Sequence, residues 1–436
     1  MNASAKLNTL LHYALFLLAF SIPTWYIFTS ICLGLVFIIW ILQADFRNVG
    51  HRLRNYRAFW PYILLYLLLT ISYLYSENKQ QAAFDLKIKI SILLIPLIIG
   101  VGIRGFDAKK LELLLSGLIL GVTFTGIISL CDATSVWYFE QYRDAFYYHF
   151  LVRSVDPNAV YSAWYTVVSI SLLLFMPWQH YFTGKYKPWR YVLMVFQVVF
   201  LVLLSARMFL LLFIVLIIPL AIWKMIMRNR RRGITSAVAI ILLTIAMVLY
   251  INGTDNPIKK RFSALVNSDM HVAWLDDYRN VKEEEFDNVT LRLFLWRIGI
   301  ESITENNAWL TGLGNGDVHL ALNNKMREYN VPGIDSENQE KPGFYNANLH
   351  NMYIQTLVML GIPGLIIFLL LVLAPVIYIY KVYPYQPFLI FHGTSLIFMM
   401  QEAVLQTQAG IVFYILISTI FWNLYYTQKN IISKSI

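Results

Sequence analysis

Charge is scarce in this sequence. Only 14% of the 436 residues are Asp, Glu, Lys or Arg, where soluble domains carry about 25%. With 58% hydrophobic residues and a mean hydropathy of +0.57, that shortage excludes a soluble globular chain and implies a polytopic membrane protein. Cysteine is nearly absent. Cys32 and Cys131 lie far apart, in or at the edge of apolar runs, so neither a disulfide framework nor a cysteine-based metal site follows. Histidine spacing is equally unhelpful to a metal: His271, His319 and His350 are scattered, with no His-x-x-x-His or carboxylate pattern. Internal repeats and low-complexity tracts are also missing.

What the chain has is apolar length. Runs of about 15–25 apolar residues can each cross a hydrocarbon core of about 30 Å. Spans are expected near 8–22, 25–43, 59–75, 84–103, 110–131, 157–176, 189–205, 208–227, 234–251, 362–382, 386–402 and 408–427. Pro23 divides the first long run, and Ser205-Ala206-Arg207 divides the run from Tyr191 to Met227. Lys6 precedes apolar sequence with no small-residue cleavage site before the next span, so a retained first helix is expected rather than a signal peptide. The expected architecture is all-α, with about twelve transmembrane helices in two bundles, 1–251 and 350–436, around a loop subdomain at 252–349.

The net charge of +10 invites a nucleic-acid reading, but the cations are not in one patch. They alternate with the spans: Arg47 to Arg57, Arg104 to Lys110, Lys185 to Arg190, Arg228 to Arg232, Lys381, and Lys429 with Lys434. By the positive-inside rule these loops are cytoplasmic, as are both termini, and no nucleic acid is implied. Between Asp132 and Asp156, on the opposite side, aromatic density suits a helix lying in the membrane interface. That segment carries Arg143, His149, Arg153 and Asp156-Pro157-Asn158.

The loop at 252–349 is the one part able to form a subdomain outside the bilayer. Helical patterns run near 257–267, 289–304 and 317–329, the middle one after Asp287 and Asn288 as caps. At about 100° per residue, Arg292 and Trp296 share a face and Arg297 points elsewhere. Residues Asn330 to Asn348 have no periodicity and read as a lid or acceptor loop. Asn288-Val289-Thr290 is a chance sequon. Gly312, Gly314 and Gly316 follow no strand and precede no Gly-Lys-Ser, so they read as a turn for close backbone approach rather than a phosphate cradle. Where the loop re-enters the membrane stands Asn348-Leu349-His350-Asn351-Met352-Tyr353. If a helix starts near Asn348, Tyr353 lies one turn from His350 and braces its imidazole.

Taken in order, Ser205-Ala206-Arg207, Arg292-x-x-x-Trp296, Gly312 to Gly316, and His350-Asn351-x-Tyr353 followed by Gly361-Ile362-x-Gly364 resemble the bacterial O-antigen ligase and polymerase family. The motif-bearing part covers about a fifth of the chain, and the topology extends the resemblance to nearly all of it. Asp156-Pro157 stands where the family often shows His-Pro, which is a departure.

The resemblance implies a C-type glycosyltransferase architecture, with the loop periplasmic and the protein in the inner membrane. It also implies an undecaprenyl-pyrophosphate-linked glycan donor, an acceptor hydroxyl such as that of lipid A-core, inversion at the anomeric carbon, and neither metal nor cofactor. His350 would be the catalytic base or orienting group. Arg207 and Arg292 would hold pyrophosphate, as paired guanidinium donors can. Arg153, Asn351, Tyr353, Glu402, Gly314 and Gly316 would support them, with Glu402 pairing one of the arginines. Lys87 and Lys89 are weaker phosphate candidates, since i and i+2 do not share a helix face. Without the resemblance, Arg207 reads as an arginine snorkelling to head groups and Arg292 as a solvated helix charge. A polymerase and a protein O-oligosaccharyltransferase fit nearly as well as a ligase. A transporter or flippase is the alternative of another class, but no half-repeat supports it.

Overall fold

The computed structural model describes residues 3–103, 106–254, 256–266, 269–281, 287–331 and 347–435, and among them every regular element is a helix. The expected lid at Asn330 to Asn348 falls mostly on 332–346, outside the described residues. The first group comprises α1 (Ala3–Ser21), α2 (Tyr26–Gln43), the polar α3 (Phe46–Asn55), α4 (Trp60–Tyr75), α5 (Lys79–Lys89) and α6 (Ser91–Ile95). Then come α7 (Ala108–Glu140), the short α8 (Tyr148–Leu151), α9 (Ala159–Phe175), α10 (Lys187–Leu204), α11 (Arg207–Leu212), α12 (Ile218–Arg228) and α13 (Arg230–Gly253). The loop contributes α14 (Pro257–Val266), α15 (Asn288–Glu305) and α16 (Val318–Glu328), and the chain closes with α17 (Met352–Tyr378), α18 (Gln386–Met399) and α19 (Gln408–Ser435).

Helices occupy all twelve expected span positions, but among the described residues eight are long and apolar enough to cross a membrane on their own. The stretch expected at 84–103 is interrupted, because α6 passes at Pro96 into a wider π-helical coil through Gly102. Proline removes a backbone donor there and loosens the ladder. α9 and α18 are shorter, at 17 and 14 residues. The span expected at 110–131 runs on to Glu140, so the aromatic segment is not one interfacial helix. Its first nine residues extend α7, and the rest forms short turns around α8.

The core lies where α9, α18 and α19 meet. Trp164 on α9 is fully buried, its ring edge-on to Phe413 at 4.7 Å and stacked on Phe391 at 6.1 Å. Such offset and T-shaped pairs suit the aromatic quadrupole. α7 lies directly on α1, because a Cβ at Gly117 or Gly121 would meet the carbonyls of Phe16 and Phe20 at 2.4 and 2.2 Å. That is the small-xxx-small contact of membrane helices, where backbones must approach to gain packing. α12 and α13 instead leave large apolar side chains exposed, Met227 at 70% and Leu243 at 71%. In a membrane, lipid covers such faces.

Candidate active site at the loop–membrane seam

The turn between α10 and α11 builds one wall. Ser205 takes a left-handed φ of +44°, and Ala206 is the extended residue from which α11 begins. Arg207 is thereby aimed back toward the loop, its Nη1 donating to the carbonyl of Arg261 at 2.6 Å. The other wall is α15, capped by Asp287, which accepts from the amides of Val289 and Thr290. Arg292 projects from its first turns, with Nη1 donating to the Asn288 carbonyl at 3.1 Å and a buried Nε that has no acceptor. Arg297 faces elsewhere, paired with Asp276 and Glu301.

Arg207 and Arg292 line one cavity of about 410 Å³, walled mainly by Met208, Leu211, Leu212, Trp296, Ile397 and Met400. Among the described residues neither arginine has a carboxylate at ion-pair distance. Two guanidinium groups with no ion-paired carboxylate among the described residues, set against an apolar wall, fit a ligand with an anionic head and an apolar tail.

His350 stands beside this cavity, outside its lining. Its backbone is held in a left-handed conformation, φ +42°, which an L-residue adopts only when its surroundings over-determine it. They do so here. Trp296 Nε1 donates to the carbonyl of Leu349 at 2.8 Å, the Leu349 amide donates to Gln355, and the His350 amide donates to Asn348 at 2.8 Å. Asn351 caps α17 by accepting from the amides of Tyr353 and Ile354. The helix therefore begins at Met352, not near Asn348, and the expected brace from Tyr353 is absent. The Tyr353 hydroxyl donates to Leu396 and its ring packs edge-on to Phe368.

Glu402 takes the bracing role instead. Expected to pair with an arginine, its Oε2 lies 3.3 Å from His350 Nδ1, with the carboxylate side chain 14% exposed. A carboxylate only accepts, so in this pair Nδ1 carries the proton and Nε2 is left as the basic nitrogen.

The two glycine motifs turn out to be one structure. α17 breaks at Gly361, φ +67°, and Pro363 has no amide to offer the Met359 carbonyl. The 309–314 turn supplies the missing partners: Leu313 donates to Val358 at 2.8 Å, Gly314 to Met359 at 3.1 Å, and Ile362 to Trp309 at 2.8 Å. A broken membrane helix must have its backbone groups re-satisfied in this way. A Cβ at Gly312 or Gly361 would meet the partner's backbone at 2.4 or 2.6 Å. Further along the turn, Gly316 lies against Asn78, Asp317 accepts from the amides of Glu77 and Asn78, and Asn315 accepts from buried Lys89. So Gly314 and Gly316 serve as scaffold.

Lys89, Arg153 and the Asp156-Pro157-Asn158 segment are occupied elsewhere. Lys89 is ion-paired to Asp85 at 2.6 Å. Arg153 is held bidentate by Asp132 at 2.8 and 3.3 Å, a hydrogen bond that raises its pKa above the ordinary guanidinium value. Asp156 and Asn158, at the departure from the family pattern, take the amides of Tyr26 and of Val160 and Tyr161. His319 bonds the Ala347 carbonyl, and no cluster of metal-ligating side chains occurs among the described residues. Asn315 and Asp317 escape sequence reading, because a polar residue in a glycine turn carries no signal of which distant helix it will meet.

A comparison with curated proteins finds no match. The family model of the O-antigen ligases matches residues 192–369, a stretch that holds Arg207, Arg292, Trp296, both glycine motifs and His350. That match covers less than half of the chain and supports the O-antigen ligase family, whose members are glycosyltransferase-like enzymes.

Proposed function

We propose that this protein is an O-antigen ligase in the strict sense. It would move a glycan from undecaprenyl pyrophosphate to a hydroxyl of lipid A-core on the periplasmic face of the inner membrane. The loop at 252–349 would stand outside, between bundles 1–251 and 350–436. The observation that carries the reading is the pairing of two arginines, without an ion-paired carboxylate among the described residues, in an amphipathic cavity with a carboxylate-braced histidine beside it.

The chemistry follows from those residues. Arg207 and Arg292 hold the pyrophosphate, while the apolar wall receives the start of the polyprenyl chain. His350 Nε2 takes the acceptor proton as the acceptor oxygen bonds the anomeric carbon from the face opposite the phosphate, inverting it. The bond from that carbon to phosphate oxygen breaks, and its electron pair leaves with the pyrophosphate. Glu402 orients the imidazole and stabilises the imidazolium that forms. Because the arginines meet the leaving group's charge, the scheme calls for no metal, and activity should persist in EDTA.

The test is purified protein with a lipid-linked glycan, counting glycan on lipid A-core, on longer polymer and on protein. Transfer to lipid A-core supports the ligase, and polymer or glycoprotein as sole product replaces it with the polymerase or oligosaccharyltransferase. Lipid flux in liposomes without transfer would overturn the enzyme reading.

A further inference from the structure

A third arginine stands next to Arg207, outside the lining of the cavity. Arg261, on α14, lies with its guanidinium carbon 3.1 Å from the centroid of the Tyr148 ring, and its Nε is buried without an acceptor. Its backbone carbonyl receives Arg207. The charges of Arg261 and Arg292 both act on Arg207. Asp287, a carboxylate whose charge also reaches Arg207, is engaged by the amides of Val289 and Thr290. On the other side of Arg261, burial and then the Arg261 charge hold the His149 imidazole below its ordinary pKa, which favours its neutral form. Arg261 has no ion-pair partner among the described residues. Among the described residues these three guanidinium groups have no ion-paired carboxylate and Asp287 sets one negative charge against three positive ones, so a further anion relieves their repulsion.

We propose that Arg261, fixed on Tyr148, is a positioning and electrostatic residue that favours the leaving pyrophosphate over the intact donor. The inference rests on the lipid-pyrophosphate reading given above. In the donor, the pyrophosphate is esterified at both ends and each phosphate carries one negative charge. When the bond from the anomeric carbon to phosphate oxygen breaks, the electron pair stays on that oxygen, the acceptor proton passes to His350, and the pyrophosphate gains one further charge. Arg207 and Arg292 match the donor. Arg261 supplies the surplus that matches the charge developing as the glycan departs, so its contribution is greater in the transition state and product than in the ground state. Tyr148 keeps the cation in place through its ring face.

The test compares wild type, Arg261→Gln, Arg261→Lys and Tyr148→Ala as full chains, measuring donor KM, kcat, and inhibition by glycan-free undecaprenyl pyrophosphate. Arg261→Gln should lower kcat and weaken that inhibition, each by about tenfold to a hundredfold, with donor KM changed less than about threefold. Arg261→Lys should recover part of both, and Tyr148→Ala should move both in the direction of Arg261→Gln. A merely structural arginine would weaken donor and product together. Equal loss of both affinities, or unchanged kcat and inhibition in well-folded Arg261→Gln, overturns the proposal. If Arg261→Gln does not fold, Arg261→Lys and Tyr148→Ala decide, and unchanged product preference in both overturns it. A wild type that neither transfers glycan nor binds the lipid pyrophosphate sinks the functional reading itself, and this proposal with it.

Discussion

At the residue scale, the proposed reaction assigns roles to four side chains, His350, Glu402, Arg207 and Arg292, and each can be separated from the others. His350 is in a left-handed conformation with its Nδ1 at Glu402. His350→Ala should insert and bind donor yet transfer glycan at least about a hundredfold more slowly, the usual scale for losing a general base. His350→Gln retains a hydrogen-bonding group without comparable basicity, so substantial activity there would make His350 an orienting group. Glu402→Gln keeps the shape of the pair but removes the charge facing the imidazolium. It should lower kcat with little effect on donor KM. For the arginines, Arg207→Lys and Arg292→Lys keep the charge but cannot offer two parallel donors to phosphate. Losing one charged hydrogen bond costs about 1.5–3 kcal/mol, or roughly tenfold to a hundredfold in rate if felt in the transition state. Near-normal turnover by well-expressed Lys variants would return both arginines to snorkelling and surface roles.

At the element scale, the site depends on a helix that is broken on purpose. The 309–314 turn takes up the backbone groups that α17 leaves open at Gly361 and Pro363, and the same turn continues into Asn315 and Asp317, which hold α5. Gly361→Ala forces a side chain into φ +67° and within 2.6 Å of the Leu310 backbone. Backbone strain alone costs about 1–3 kcal/mol, and the clash adds to it. The melting temperature in detergent should fall for Gly361→Ala and Gly312→Ala. Gly393→Ala, where a Cβ meets nothing within 4 Å, should not lower it. An equal response of all three would mean the turn and the break are not coupled.

At the scale of the whole molecule, the alternation of basic loops predicts the sides, and with them the compartment of His350. In a chain with Cys32 and Cys131 replaced by Ser, Met270→Cys, at a position 56% exposed, should react with an impermeant thiol reagent from outside intact cells. Asn229→Cys should react only after the membrane is opened. Reversed labelling would put the loop and His350 in the cytoplasm, where the proposed reaction has no place. What the amino-acid order determined unaided is what depends on neighbours along the chain. Apolar run length, loop charge, the Asp287 cap and the turn at Ser205 are local, and helices follow from them because a backbone in lipid must bond to itself. Which of those helices crosses unaided is less local: α5 and α6 fall short of a regular span where Lys89 finds Asp85 and Asn315 inside the protein. The tertiary structure alone decided the partnerships. Glu402 went to His350 rather than to an arginine, Trp296 to the Leu349 carbonyl, and one glycine turn to the other's missing hydrogen bonds. These residues are 52, 53 and 45 or more positions apart, so no periodicity reports their meeting. Only the packing of α15, α17 and α18 brings the unpaired donors and acceptors within reach, and an unpaired polar group in a dry site takes the partner that packing puts there.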